Sequence, residues 1–352
     1  MSTAALHDLG GWPAVLGRLA AGGDLRADQA GAAMTAILSG EATDAQIAGF
    51  IVSLRMKGET VEEVSGMVEA MLGASEPLDL EVEAVDVVGT GGSPTRRVHA
   101  LNVSTMACFV VAGAGVPVCK HGNRRASSTS GSFDLLEALG VAIDLDGPAV
   151  ARCVEEAGIG FAFARAFHPA MRFAGPVRAE LGIPTVFNLL GPLAHPARLG
   201  RQVIGVGDPA MAPLVAGVLA ARGVPRAMVV HGADGLDELT VTGPSTIHEV
   251  RAGEVEVFDV EPGDVGLPTH RADAIRGGGP EVNAELARRL YGGERGPVRD
   301  IVVLNAAAGL VVGGVVETLA EGVVAATDAL DDGRAAAALE RLVALSVALA
   351  AA

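Results

Sequence analysis

The sequence predicts an α/β protein: a small helical N-terminal domain, then a large domain with a central, mostly parallel sheet flanked by helices. In residues 1–75 the apolar residues recur at helical spacing, which predicts that this region contains helices only. From about residue 80, short apolar runs alternate with helical stretches, as in strand–helix units. With 47 glycines but a single Trp and a single Tyr in 352 residues, the core must consist mainly of Ala, Val and Leu. We therefore expect domains at 1–75 and 76–352.

Start signals mark the helices of the first domain. Thr43 with Gln46, and Thr60 with Glu63, have the spacing of capping boxes, and each is followed by apolar residues at helical intervals. Two alanine-rich helices, ending near residues 21 and 39, are expected before them. Nothing in this bundle indicates chemistry, so we expect it to cover a cleft, against residues 168–195, or to form a dimer interface.

Apolar runs bounded by glycine or polar residues mark the strands of the second domain. We expect a hairpin at 247–250 and 255–260, a loop-rich and mobile segment at 261–280, and an alanine-rich helix from Arg334. Ligands of such folds bind where strands end. The predicted strands are residues 85–88, 116–119, 141–145, 160–164, 203–206 and 227–230.

Charge and targeting signals exclude several classes of protein. A formal charge of −16 argues against a nucleic-acid binder, although a basic pocket at Lys120, Arg124 and Arg125 could bind a small anion. No signal peptide is evident, and the apolar runs at 106–119 and 301–316 are too short or too interrupted to span a bilayer. The three cysteines have no metal or redox spacing, which indicates buried thiols in a reducing compartment. We expect a cytoplasmic protein.

Residues 86–140 contain three segments suited to phosphate. A glycine cluster at 89–92 follows a strand, residues 102–105 (NVST) begin a helix whose first amides their side-chain oxygens can cap, and a loop at 120–132 carries cations and hydroxyls. The glycine cluster matches neither a P-loop nor a dinucleotide fingerprint, and alone it could be an ordinary tight turn. In combination, the three segments favour a phosphate site.

An acidic turn follows the predicted strand at 227–230. Asp237 and Glu238 are adjacent carboxylates, and Mg²⁺ prefers such oxygen ligands. A solvated acidic turn is the alternative. The neighbouring phosphate loops favour the metal, because a diphosphate usually carries magnesium.

These strings together resemble the anthranilate phosphoribosyltransferase family over nearly the whole chain. The matching motifs are GTGG, NVST, KHGNR, GSFDLLEALG, PVRAELG and DGLDE. The resemblance implies transfer of a phosphoribosyl group from 5-phosphoribosyl 1-pyrophosphate (PRPP) to the amine of anthranilate, one or two Mg²⁺ ions, and a homodimer. It assigns PRPP to Gly89, Thr90, Gly91, Gly92, Asn102, Ser104, Thr105, Lys120, His121, Gly122, Asn123, Arg124, Ser127, Ser128 and Ser132.

The same resemblance assigns the acceptor and the metal. Arg178 would bind the anthranilate carboxylate, and Ser104, Asp237 and Glu238 would hold Mg²⁺. No nucleophile–base–orienter set is evident, so catalysis should depend on positioning and on charge stabilisation at the leaving diphosphate, with Lys120 the best single candidate. The full set of predicted anthranilate residues is Gly89, Asn123, His168, Arg178, Gly191 and Pro192.

The chain departs from the family pattern in its first loop. Ser93 replaces an aspartate, Ala100 replaces a threonine, and the loop at 93–101 is longer; Thr129 is a smaller departure. Compensated drift is one explanation, and a changed donor geometry or acceptor is another. The alternatives are therefore a transferase or nucleoside-phosphorylase-like enzyme for a different aromatic carboxylate, or a non-catalytic homologue that binds nucleic acid or regulates a partner.

Overall fold

The computed structural model describes residues 6–91, 101–125 and 129–352. Its N-terminal part is helical, as predicted. Both predicted capping boxes are present, with Thr43 Oγ1 accepting the Gln46 amide at 3.3 Å and Thr60 Oγ1 accepting the Glu63 amide at 3.2 Å. After a 3-10 turn at Leu6–Leu9, the helices are α1 Gly11–Ala20, α2 Ala27–Leu38, α3 Asp44–Lys57 and α4 Val61–Gly73.

A five-stranded sheet lies at the centre of the larger part. Its order is β1-β4-β5-β6-β7, with β1, β4 and β5 parallel and the hairpin β6–β7 antiparallel. The predicted hairpin is thereby confirmed. The strands are β1 Asp86–Gly89, β4 Arg201–Gly205, β5 Arg226–Gly232, β6 Ser245–Arg251 and β7 Glu254–Val260.

A second, two-stranded parallel sheet is joined to the first by one bridge. β2 Val118–Gly122 pairs with β3 Ile159–Phe163, and Val85 bridges Val118. Beyond this bridge side chains replace the strand pairing: Lys120 Nζ donates to the Val87 carbonyl at 2.5 Å, and His195 Nε2 donates to that of Cys119 at 2.9 Å. The gap between β1 and β2 is therefore lined with polar groups.

The predicted strand at 141–145 is wrong. This segment has no strand pairing and runs as irregular chain between two helices. Val141, Ile143 and Leu145 are buried, so the alternation is real, but the Ala142 amide bonds Ser346 Oγ at 3.1 Å rather than a neighbouring strand. A helix thus provides the partner that a strand would have provided.

Helices cover both faces of the sheets. They are α5 Val103–Gly113, α6 Ser132–Ala138, α7 Gly147–Ala157, α8 Ala164–Phe167, α9 Gly175–Leu181, α10 Val186–Leu193, α11 Ala212–Ala221, α12 Pro280–Tyr291, α13 Pro297–Gly313, α14 Leu319–Asp331 and α15 Arg334–Ala350. The apolar run at 301–316 is largely α13, a buried central helix. In the described residues no helix combines the length and apolarity needed to cross a membrane.

Two hydrophobic clusters occupy opposite faces of the main sheet. One contains α5 and α13, and the other joins α1–α4 to α10, α11 and the sheet residues Val88, Ile204 and Val229. The N-terminal bundle therefore shares a core with one sheet face. The loop-rich segment 261–280 contains two 3-10 helices, Pro262–Val265 and Ala272–Ile275, and its predicted mobility stays a prediction.

Candidate active site

Glycines at two strand ends allow the acidic loop after β5 to lie directly on the sheet. A Cβ on Gly89 would lie 2.2 Å from Asp237 Oδ2, and one on Gly205 would lie 1.8 Å from the Asp237 carbonyl oxygen, so neither position tolerates a side chain. The Gly91 amide donates to Asp237 Oδ2 at 2.9 Å, and the Thr90 amide donates to the Gly205 carbonyl at 2.8 Å. The glycine loop and the predicted metal pair are thus one unit.

The side chains predicted to hold a metal are all buried. Asp237 is fully buried and Glu238 is 3 % exposed, while Ser104, in the first turn of α5, is 7 % exposed. In residues 6–91, 101–125 and 129–352, no group of three or more His, Cys, Asp or Glu side chains is arranged to hold a metal. A metal held here would therefore need oxygen atoms from a substrate as well.

α5 begins after Asn102, but the predicted side-chain cap is wrong. Asn102 Nδ2 donates to the Ser130 carbonyl at 3.2 Å, and its Oδ1 accepts from Ser130 Oγ at 2.9 Å and from Asn283 Nδ2 at 2.7 Å. This network connects the helix start to the end of the third predicted loop and to α12. Ser104 and Thr105 are buried in the first turn that it positions.

Lys120 lies in the gap between β1 and β2. It is 2 % exposed and adjoins the fully buried Asp86. Burial raises the pKa of the Asp86 carboxyl to about 7, against the opposing influence of the Lys120 charge. The predicted catalytic cation is therefore a fixed group inside the protein, with a charge partner that sequence reasoning missed.

Asp134 closes the loop that follows β2. Its Oδ2 accepts the amides of Arg125 at 2.9 Å and Gly131 at 3.0 Å. Ser132 Oγ donates to the Asn123 carbonyl at 3.1 Å, just beyond the strand end at Gly122. Within the described part of the loop, two predicted PRPP residues, Asn123 and Ser132, are thereby in contact.

Arg124 is paired with acids of α6. Its Nη1 lies 2.8 Å from Glu137 Oε2 and 3.2 Å from Asp134 Oδ1. The bond to Glu137 raises the pKa of Arg124. A PRPP contact by Arg124 would require a change of partner, and its assignment stays a prediction.

Three histidine rings form a cluster that includes His168, one of the predicted anthranilate residues. The His121 ring centroid lies 5.1 Å from that of His168 and 5.6 Å from that of His195. Burial lowers the pKa of His168 to about 4, that of His195 to about 3, and that of His121 well below its usual value. All three rings are therefore neutral near pH 7.

His121 connects the β2 loop to α10. Its Nδ1 donates to the Gly191 carbonyl at 3.0 Å, so its Nε2 is an acceptor. In the described chain this buried Nε2 has no hydrogen-bond partner, nor has Nε2 of His168. On the same helix, the Pro192 carbonyl accepts Gln202 Nε2 at 3.0 Å.

Arg178, on α9, projects over an aromatic ring. Its guanidinium carbon lies 5.1 Å from the ring centroid of Phe187 on α10. Burial lowers the pKa of Arg178. In the described ranges it makes no ion pair and no side-chain hydrogen bond, so its five donors are available to an anion. Arg178 and Asn123 are both among the predicted anthranilate residues, and their joint binding of the acceptor stays a prediction.

Some predicted residues lie outside the described ranges, and some important ones were missed. Gly92, Ser127 and Ser128 fall outside, as do Ser93, Ala100 and most of the loop at 93–101. The missed residues are Asp86, Asp134, His195, Gly205 and Asn283. Asp134 had a usable signal, because it lies in the DLLEALG motif. The others become evident only from the folded chain.

Comparisons with known proteins identify the family of this chain. Residues 81–336 match the model of the glycosyl transferase family a/b domain, and residues 13–75 match that of its helical bundle domain. The anthranilate phosphoribosyltransferase of Thermomicrobium roseum is 53% identical over 96% of this chain and 97% of its own. The chain belongs to the anthranilate phosphoribosyltransferase family. A second relative, from Rhodococcus jostii, is 52% identical over 96% of this chain and 94% of its own.

Solved structures of anthranilate phosphoribosyltransferases have the same fold. That of Thermus thermophilus superposes with a TM-score of 0.88 at 43% identity, covering 95% of this chain and 99% of its own. The Saccharomyces cerevisiae enzyme, solved in complex with PRPP and Mg, gives 0.87 at 27% identity, covering 96% and 98%. The yeast enzyme was also solved with 4-fluoroanthranilate. The predicted fold class is confirmed.

Proposed function

We propose that this protein transfers the phosphoribosyl group of PRPP to the amine of anthranilate, giving N-(5-phosphoribosyl)anthranilate and pyrophosphate. The observation that carries the proposal is the contact between the glycine loop and Asp237 at one cleft edge. A second buried carboxylate, Glu238, follows Asp237, and the buried Lys120 bonds the Val87 carbonyl two residues before the loop. Family membership and the relatives named above support the same reaction.

The diphosphate side of the cleft suits Mg²⁺. Asp237, Glu238 and Ser104 provide hard oxygen ligands, and Mg²⁺ is typically held by one or two carboxylates plus substrate phosphates. These residues fit such an ion, and we propose that they hold it. When bound, Mg²⁺ neutralises charge that develops on the leaving pyrophosphate.

Groups of the protein itself provide the remaining stabilisation of the transition state. Cleavage of the bond between ribose C1 and pyrophosphate passes through an oxocarbenium-like state, as in glycosyl transfer generally. The first-turn amides of α5 would face the anion, and Lys120 would provide a fixed positive charge. The amides of Thr90 and Gly91, which bond the Gly205 carbonyl and Asp237, would fix the loop beside it. These groups reorganise little during reaction, because hydrogen bonds already fix them.

The acceptor side recognises a neutral amine beside a carboxylate. Arg178 would bind the carboxylate in bidentate fashion, and the neutral His121 Nε2 can accept an N–H from the amine. Anthranilate's amine is already uncharged, so no strong base is required. The lowered pKa of His121 keeps that nitrogen an acceptor.

A turnover assay tests the proposal. Purified protein, Mg²⁺, PRPP and anthranilate are mixed, and anthranilate loss and pyrophosphate release are followed together. We expect equal rates that disappear with a metal chelator. PRPP binding without anthranilate turnover would point to a different aromatic carboxylate, and failure to bind PRPP would overturn the proposal.

We further propose a homodimer in the cytoplasm, with a domain boundary near residue 75. Cys108, Cys119 and Cys153 are free and buried, which suits a reducing compartment. Helices α9 and α10 belong to the 168–195 segment and pack against α3 of the bundle. This packing supports a cleft between that segment and the helical bundle. Sedimentation at several concentrations tests the dimer.

A further inference from the structure

A second cationic cavity shares no residue with the cleft. It has a volume of about 210 Å³ and lies between α12, the 3-10 helix Ala272–Ile275 and the N-terminus of α13. Its lining includes Arg276, Arg289, Arg295 and Arg299, and Glu294 is the one acid among the described residues that line it. The chain has 42 acidic and 26 basic residues, so the charge of this lining is opposite in sign to that of the protein as a whole.

Nearby acids offset only part of this charge. Glu294 lies 3.1 Å from Arg289, and Asp331 lies 3.4 Å from Arg295 and 2.6 Å from Arg299. Asp273 is paired with Arg271, which does not line the cavity. Four arginines thus line the cavity, and two carboxylates, Glu294 in the lining and Asp331 outside it, are paired with three of them.

Arg299, which lines this cavity, has a buried donor without a partner among the residues that the structure describes. Its side chain is 5 % exposed, and its Nη2 contacts Asp331 and, at 3.4 Å, the Thr327 carbonyl. Its Nη1 is fully buried and has no hydrogen-bond partner in the described chain. A buried donor without a partner is costly, and a side-chain shift that brings Nη1 to an acceptor in the cavity would remove that cost.

The start of α13 adds donors of the same kind. This helix begins at Pro297, and the amides of Val298 and Arg299 in its first turn, together with its dipole, favour an anion. The lining also has an apolar wall of Leu286, Leu290 and Val298. Guanidinium groups match the oxygens of phosphate in bidentate fashion.

We propose that this cavity binds a phosphate group, either as inorganic phosphate or as the phosphoryl end of a small metabolite. The guanidinium groups bind its oxygens, and the apolar wall contacts any carbon attached to it. The site is distinct from the PRPP cleft and does not depend on the proposed reaction.

Calorimetric titration of the full chain with inorganic phosphate, and separately with glycerol 3-phosphate, tests the proposal. The variant is Arg276→Gln with Arg295→Gln, since both residues are exposed. The matched control is Arg26→Gln with Arg251→Gln, which removes the same charge at exposed ion pairs elsewhere. Binding in the cleft is common to all the proteins and cancels in the comparison.

We expect the cavity variant to bind phosphate at least about 10-fold more weakly than the control, as loss of charged hydrogen bonds implies. Its KM for PRPP should be unchanged. Glu294→Gln should bind phosphate several-fold more tightly, because it frees Arg289. Tighter binding of glycerol 3-phosphate than of phosphate would identify a phosphorylated metabolite as the ligand. Equal phosphate affinity in the cavity variant and the control would overturn the proposal.

Discussion

The two sides of the cleft are built in opposite ways. On the donor side, Asp237 lies in backbone contact with Gly89 and Gly205 and accepts the Gly91 amide, so the geometry is fixed before any ligand arrives. On the acceptor side, Arg178 packs on Phe187 and one Nδ1 hydrogen bond holds the His121 ring. In the described chain the Arg178 side chain and Nε2 of His121 lack hydrogen-bond partners. The proposed diphosphate site therefore depends on backbone geometry, whereas the proposed acceptor site depends on a few replaceable side chains.

Disrupting the backbone of the donor side should have the largest effect. In Gly205→Ala the new Cβ would lie 1.8 Å from the Asp237 carbonyl oxygen, so the acidic loop must move. We expect kcat to fall by more than about 100-fold, the cost of a displacement of about 1 Å in an active site. Steady-state kinetics measures this. Gly263→Ala, with nothing within 4 Å of its Cβ, is the control. Full activity in Gly205→Ala would refute the account of the donor side.

Neutralising the donor-side carboxylates should come next. Asp237→Asn with Glu238→Gln keeps the shape of the loop but removes two charges that would hold Mg²⁺. We expect about a 100-fold loss of kcat, as for the removal of other transition-state charge stabilisers. The activity should also require far more Mg²⁺, which titration at saturating PRPP measures. An unchanged magnesium response would remove both residues from the metal site.

An arginine on the acceptor side allows a more selective test. Arg178→Ala should raise the KM for anthranilate about 10- to 100-fold, the range for charged hydrogen bonds, with little change in the KM for PRPP. Arg172→Ala is the matched control, because its guanidinium also lies over a phenylalanine, 4.4 Å from the Phe173 ring centroid. Equal increases for both substrates would show that Arg178 is a packing residue.

The same contrast explains what the sequence could predict. The donor side is written in contiguous motifs, so the loops at Gly89, Asn102 and Asp237 could be found from the sequence. The requirement for glycine at position 205 could not, because its partner Asp237 approaches only when β4 and β5 are aligned. The apolar alternation at 141–145 is typical of a strand. The segment instead bonds Ser346, 204 positions away from Ala142, and forms no strand pairing with the described residues.

Replacing a buried histidine should have the smallest effect, and that effect is on the free energy of unfolding rather than on turnover. His195 is satisfied only when neutral: Nε2 donates to the Cys119 carbonyl, and Nδ1 accepts the Ala197 amide at 3.1 Å. Burial, together with the nearby His168 and Lys120, lowers its pKa to about 3, against the opposing influence of the hydrogen bond to the Cys119 carbonyl. As the pH falls from about 6.5 towards 3, the unfolded chain binds a proton at this position that the folded chain does not, so stability is lost.

Replacing this histidine should flatten the dependence of stability on pH. In His195→Gln the amide can keep one of the two bonds, and the slope of unfolding free energy between pH 6 and pH 4.5 should decrease by about 1.4 kcal/mol per pH unit. Asp86 contributes a slope of the opposite sign, because its pKa is raised to about 7, but both proteins contain it and it cancels in the difference. Urea unfolding at several pH values measures both slopes. Parallel curves would mean that His195 is protonated in the folded protein, and that the acceptor side is more open to water than its burial indicates.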